Sequence, residues 1–226
     1  MRRSLSLILL SFVLSPNAAL GASKPHVISF GRATTISWCA GPAEAKCVGL
    51  KVRALYVDGR AHESTLGASH DITERLLVVR RAFRVNDTLP GDTATPGWVW
   101  QRGGWLLIDR MTGHISSIAL PEFDPYYSVT SWYRDYAAYC GVSDDGKKRF
   151  AIVFQVGRRK PVLKKPLGDA GGSDAPDSEC PAPVWERRPV RVTFEPDENQ
   201  KSTYSVRGHA ADLVTHDEAD EEKGSQ

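Results

Sequence analysis

Four cysteines, Cys39, Cys47, Cys140 and Cys180, carry the most definite chemistry in this sequence. No two of them stand at Cys-x2-4-Cys spacing, so neither a zinc knuckle nor a dithiol redox motif is written into the chain. An even count in a chain that reads as exported predicts two disulfides, although four cysteines allow three pairings. The expected pairs are Cys39–Cys47 and Cys140–Cys180. The first closes a short loop over Gly41-Pro42, a natural strand reversal, and is worth roughly 2.5 kcal/mol on the chain-entropy model. The second is worth roughly 4 kcal/mol on the same model and ties a Gly/Asp-rich stretch back to the core.

The densest aromatic stretch holds Tyr126, Tyr127, Trp132, Tyr133, Tyr136 and Tyr139. Rings that face solvent stack on sugars or apolar ligands, and their polar tips hydrogen-bond at the rim. Trp132, Tyr133 and Tyr136 are therefore candidate binding residues, and ordinary strand packing is the competing explanation of the same rings. A basic run, Lys147, Lys148, Arg149, Arg158, Arg159, Lys160, Lys164 and Lys165, adds Arg158 and Arg159 as candidate contacts to an anionic surface. Its competitor is protection of exposed strand edges by cations.

Carboxylates offer Glu122 with Asp124, and Asp144 with Asp145. Glycoside hydrolysis needs two carboxylates roughly 5–10 Å apart across a cleft, which neighbours in one loop rarely achieve. Asp144-Asp145-Gly146 reads as turn chemistry. The six histidines show no His-x3-His spacing, His62 and His70 being the two that could meet in space. There is no Gly-x-Ser-x-Gly elbow and no glycine-rich phosphate loop. No catalytic residue, metal site or cofactor is nominated.

The elements that must position these residues are strands. Helical periodicity is nearly absent, and short β-branched and aromatic runs alternate with turn residues. Lys51–Val57 reaches Asp58-Gly59 and returns, a hairpin signal because both turn positions accept φ > 0. Leu76–Val85, Trp98–Arg102, Trp105–Asp109, Ile115–Leu120, Tyr136–Val142, Phe150–Val156, Val190–Phe194 and Ser202–Val206 complete the main runs, with Trp98–Arg102 expected to pair with Trp105–Asp109 in a hairpin around Gly103-Gly104. Residues 166–183, rich in Pro, Gly and Asp, read as a mobile loop. The organisation expected is a signal peptide over 1–21, an all-β domain over 24–214 and a disordered acidic tail over 215–226.

The address comes from the first residues. Arg2-Arg3, an apolar run from Leu5 to Leu14, Pro16, and then Ala18-Ala19-Leu20-Gly21-Ala22 follow the signal-peptide order, with cleavage expected after Gly21. The apolar run is well short of the roughly 20 residues of a spanning helix, so no stable membrane span is expected. The predicted location is secreted or periplasmic. The chain has 29 Lys and Arg against 27 Asp and Glu, and losing Arg2 and Arg3 makes the counts equal. Electrical balance provides no whole-molecule attraction to nucleic acid.

A weak internal repeat near 50 residues links Leu55–Gly59, Leu107–Gly113 and Ile152–Gly157. Ser143-Asp144-Asp145-Gly146-Lys147, followed by Phe150–Val153, resembles the Ser-Pro-Asp-Gly-Lys turn of β-propeller blades of the periplasmic Tol-system type. Leu107-Ile108-Asp109-Arg110-Met111-Thr112-Gly113 is similar to the Asp-x-x-Thr-Gly hairpin of the preceding blade. Asp144 stands where that family has proline, and about 50 residues carry the resemblance. The fold class expected is all-β, as antiparallel hairpins in a partial or small propeller-like stack, with a β-sandwich as the alternative.

Two functional readings remain open. One is an exported binding or interaction module at the cell envelope, its partner an envelope protein or a polysaccharide. The other is a carbohydrate-active or other hydrolytic enzyme using loop carboxylates beside the aromatics. The placement of Glu122, Asp124 and Asp135 discriminates between them.

Overall fold

The computed structural model describes residues 24–39, 47–88, 97–169, 180–197 and 199–213, without the side chain of Cys39. The expected signal peptide, the acidic tail and residues 170–179 of the expected loop lie outside them. Every described element is a strand, and the all-β expectation holds. In chain order they are β1 (Ile28–Phe30), β2 (Thr34–Cys39), β3 (Cys47–Val57), β4 (Arg60–Asp71), β5 (Leu76–Asn86), β6 (Trp98–Asp109) and β7 (Ile115–Ile118). Then come β8 (Ser131–Tyr133), β9 (Tyr136–Val142), β10 (Lys148–Gln155), β11 (Leu163–Asp169), β12 (Val184–Arg187), β13 (Val190–Asp197), β14 (Gln200–Arg207) and β15 (Ala210–Leu213).

They form three antiparallel sheets, none closed into a barrel. The first has seven strands in the order β1-β3-β4-β5-β6-β7, with β2 also paired to β3. The other two are four-stranded meanders, β11-β10-β9-β8 and β12-β13-β14-β15, in which each strand pairs with its chain neighbour.

The hairpin turns follow from their residues. Asp58 and Gly59 both have positive φ (50° and 77°), which the tight return from β3 to β4 demands. In the β6–β7 turn, Asp109 accepts a hydrogen bond from the Met111 N–H (2.8 Å), and Gly113 donates back to the Asp109 carbonyl (2.8 Å). Ser143 and Asp145 close the β9–β10 turn, with Asp145 accepting from the Ser143 hydroxyl (2.6 Å) and the Lys147 N–H (3.1 Å). Asp145 is a turn residue, as its setting in the sequence suggested.

Long strands bend the first sheet back on itself. The β4–β5 register breaks between Leu66 and His70, where Gly67 has φ +66°, and the β5–β6 register breaks between Arg80 and Ala82. The fold-over sets Leu55 of β3 against Leu77, Val79, Leu106 and Ile108 of β5 and β6. Strands of the first and second ~50-residue repeats, Leu55–Val57 and Leu107–Asp109, therefore belong to one sheet rather than to successive blades.

The middle sheet is buried on both faces. Ala138, Cys140, Ala151 and Val153 face the last sheet, meeting Val192, Phe194, Tyr204 and Val206. Their alternates Ala137, Tyr139, Ile152 and Phe154 face the other way, against Ile118, Leu120 and Phe123. This explains why Phe150–Phe154 is apolar without interruption: a strand covered on both sides has no solvent face to write as polar. Cys140 and Cys180 are disulfide-bonded across this second core, with Cα atoms 6.1 Å apart. Cys39 faces Cys47 in the β2–β3 register, and Cys47 is itself disulfide-bonded.

The strand limits differ from the sequence reading in several places. Trp98–Arg102 and Trp105–Asp109 do not pair with each other but form one continuous strand, β6, which pairs along its length with β5. β11 runs through Pro166 to Asp169, so the first four residues of the expected mobile loop are strand. Pro166 is tolerated because β11 is an edge, with no ladder on its outer side for a missing N–H to break. Three short strands, β8, β12 and β15, were not anticipated at all. Each has only three or four residues and is held by pairing with a longer neighbour.

Candidate functional site

Alternation along β8 splits the aromatic cluster. Trp132 points toward the first sheet, where it stacks on His70 (5.9 Å between ring centroids) and meets Trp105 edge-on (5.1 Å). It is a packing residue between layers. Tyr133 points the opposite way, stacking on Trp185 of β12 (5.5 Å), and Tyr136 of β9 lies tilted against the same indole (6.3 Å). Trp185 donates its indole N–H to the Ser131 carbonyl (3.2 Å), and the Tyr136 hydroxyl donates to the Gly208 carbonyl (2.5 Å). Tyr133, Trp185 and Tyr136 thus form a half-buried aromatic seam joining the middle and last sheets. Tyr139 is fully buried elsewhere, with its hydroxyl donating to the Pro121 carbonyl (2.7 Å).

The seam fixes which hairpin turns are neighbours. Tyr133 pairs with Tyr136 and Gln155 pairs with Tyr136, so the β8–β9 and β10–β11 turns share one end of the middle sheet. In the last sheet, Arg187 pairs with Val190 and Arg207 with Ala210, so the β12–β13 and β14–β15 turns also share an end. The Tyr136–Gly208 bond and a contact between His209 Nδ1 and Gln155 Oε1 (3.0 Å) bring those two ends together.

Four turns therefore present Arg134, Arg158, Arg159, Lys160, Arg187, Arg188 and Arg207 on one end of the molecule, all exposed. None of the seven forms an ion pair among the described residues. The acids within the same turns and their flanks are Asp135, which accepts from the Gln155 amide (2.8 Å), and Glu186. Arg134, at φ +52°, lies 5.4 Å above the Tyr133 ring, and its carbonyl accepts from His70 Nε2 (2.7 Å). Partial burial and the Asp135 charge push the Tyr136 phenol above its ordinary pKa, while the positive fields of Arg158 and Arg134 oppose them. Both arginines are thus close enough to act on one hydroxyl.

The rest of the basic run is used differently. Arg149 makes a two-point ion pair with Asp197 of β13 (3.2 and 2.8 Å) at the opposite end of the sheets. Lys164 binds Glu122 (2.5 Å), and Lys147 and Lys148 lie at the β9–β10 turn, away from the arginines.

The three carboxylates that were to discriminate do not share a task. Glu122 is held by Lys164 of β11. Asp124 accepts from the backbone N–H groups of Tyr126 (2.6 Å) and Tyr127 (3.0 Å), closing its own turn. Asp135 is bonded to Gln155. His62 and His70 also part: His70 bonds Arg134, whereas His62 lines a cleft of about 380 Å³ with Glu63, His114 and Ser116. Among the described residues no three His, Cys, Asp or Glu side chains are grouped to hold a metal ion. No helix among them is long and apolar enough to cross a membrane.

Of the candidate binding residues, the structure brings Tyr133, Tyr136, Arg158 and Arg159 to one end and turns Trp132 into the adjacent interface. Sequence reasoning missed Arg134, Trp185, Arg187, Arg188 and Arg207. Each lies in or beside β8 or β12 or the turn before β15, short strands that show no period in the sequence, so no signal in the strand runs marked them. No protein-family model, curated protein or solved structure matches the chain.

Proposed function

We propose that the chain is an exported, disulfide-stapled β module that contacts another macromolecule of the cell envelope through its arginine-lined end. The observation that carries this reading is the gathering, from four separate turns, of seven exposed cations that form no ion pair among the described residues, on a chain whose overall charge is close to balanced. Like charges held this close repel one another, so the scaffold maintains them at a cost that an anionic partner relieves. Such a one-sided field also steers an oppositely charged partner and sets its orientation.

Export is supported by the basic, apolar and small-residue order of residues 1–21 and by the bonded Cys140–Cys180 pair. Glu122, Asp124 and Asp135 each serve a separate local bond, which favours binding over hydrolysis. A propeller-like reading is supported only by the two four-stranded meanders and the Ser-Asp-Asp-Gly-Lys turn between β9 and β10; the Asp-x-x-Thr-Gly turn belongs to the seven-stranded sheet.

Co-sedimentation with isolated envelope fractions tests the reading. The mature chain should be retained in a salt-sensitive manner, and a variant carrying Arg158→Gln, Arg159→Gln, Arg187→Gln and Arg207→Gln should remain soluble. Equal retention of both proteins, or of neither, refutes the assignment. Mass spectrometry of the protein recovered outside the cytoplasm should find it beginning at Ala22.

A further inference from the structure

We infer that the arginine-lined end recognises a linear acidic polysaccharide by its regularly repeated carboxylate or sulfate groups, an inference that rests on reading this end as the contact surface. Six of its seven cations are arginine. The planar guanidinium fork matches a two-oxygen anion with two parallel hydrogen bonds, where an ammonium makes a point contact.

Spacing is the second argument. Neighbouring turns in one sheet begin two strands apart, and turns of stacked sheets are separated by one layer; both intervals are roughly 10 Å. Arg134 and Arg158 bound one such interval within the middle sheet, and Arg187 and Arg207 bound another in the last. A small anion would engage one turn. A chain of sugars with charge at regular intervals reaches several at once, and each further contact is then made at high effective concentration.

The tips themselves argue against a bilayer. They read Arg134-Asp135, Gly157-Arg158-Arg159-Lys160, Arg188-Pro189 and Gly208-His209, with no large apolar side chain to enter the acyl boundary. Between them lie the half-buried rings of Tyr133, Tyr136 and Trp185, whose remaining exposed apolar surface adds contact area for the C–H groups of sugars.

Titration of the mature protein with polygalacturonate, and in parallel with dextran sulfate, at about 0.15 M salt tests the inference. Neutral dextran, phosphatidylglycerol vesicles and duplex DNA serve as comparators. One or both acidic glycans should bind, more tightly than vesicles or DNA, with affinity falling as salt rises and with no binding to neutral dextran. Arg158→Gln with Arg159→Gln should weaken binding roughly fivefold per arginine. Lys147→Gln with Lys148→Gln, at the far end, should stay within about twofold of the parent. Arg158→Lys with Arg159→Lys should keep the salt dependence yet bind more weakly than the parent, the mark of lost forks rather than lost charge.

Equal losses from the arginine and lysine pairs would mean simple ion exchange and overturn the site. Tighter binding to vesicles or DNA assigns the surface to that class instead. If neither acidic glycan binds while envelope retention persists, the glycan inference fails and the contact surface stands. Loss of both results removes the two together. Unchanged thermal melting of each variant keeps misfolding from imitating these outcomes.

Discussion

Breaking the Cys140–Cys180 bridge should loosen the core that sets the arginine turns side by side. The two cysteines are 40 residues apart in sequence, so reduction frees a loop whose closure is worth roughly 4 kcal/mol on the chain-entropy model. Both side chains are buried between the middle and last sheets, at 0% and 1% exposure. Cys140→Ala with Cys180→Ala therefore removes packed sulfur as well as the cross-link, adding about 1 kcal/mol per site. At 2–4 °C per kcal/mol for a domain of this size, loss of this bridge alone should lower Tm by about 8–16 °C. The double variant should fall by somewhat more, and full reduction, which also opens the bond at Cys47, by a comparable extra amount. Differential scanning calorimetry of the oxidised, reduced and double-alanine proteins checks this. All three should melt in one transition, because Phe194 and Tyr204 share a core with Ala138 and Val153. A fall of less than about 3 °C on reduction, or separate melting of the last sheet, would refute the argument.

Two further predictions concern packing and pH. Gly141→Ala would place a Cβ 2.5 Å from Ile152 Cδ1 and 2.9 Å from the Glu122 carbonyl oxygen, a clash in a doubly covered strand. It should lower stability by about 1–3 kcal/mol, read as a lower urea midpoint at unchanged m-value, and an unchanged midpoint would contradict the packing. The Arg75 guanidinium, together with the Met111 N–H, holds the Asp109 carboxyl far below the usual range. Asp145 is lowered by the Ser143 hydroxyl, and Asp197 by Arg149. Depressed carboxyl pKa values contribute stability that is present above the unfolded value near 4 and lost as pH falls through the folded values. Thermal stability should thus be level from neutral pH to about 5 and decline below about 4. Asp109→Asn should be less stable at neutral pH with a shallower acid limb; an acid limb of parental slope would show that Asp109 titrates normally.

What could be read without coordinates was local. Asp58-Gly59 takes the double positive φ that its residues permit, and Ser143–Lys147 closes on its own side chains, because each turn's bonds run between residues close in sequence. Strand runs such as Tyr136–Val142 and Phe150–Phe154 were equally plain, since burial on both faces makes a strand apolar throughout. Strands β8, β12 and β15 were not legible, being too short to show a period of two and stabilised by neighbours distant in the pattern. The candidate site was half legible. Tyr133, Tyr136, Arg158 and Arg159 were singled out, whereas Trp132 was grouped with them although it faces the other layer. Cluster density along a chain does not reveal which side of a strand each ring occupies; only the pairing register does.

The sequence alone therefore determined local turns such as Asp58-Gly59 and Ser143–Lys147, consequences of backbone freedom and short-range hydrogen bonding, and supplied the cysteines that bond. It also held every arginine of the candidate surface, scattered from Arg134 to Arg207 among acids that balance them. The tertiary structure decided that these arginines meet. Stacking of the two meanders over a shared apolar core, with Trp185 between Tyr133 and Tyr136, sets four turns on one end. That juxtaposition depends on contacts between residues up to about seventy positions apart, such as Tyr136 with Gly208, which no local pattern encodes.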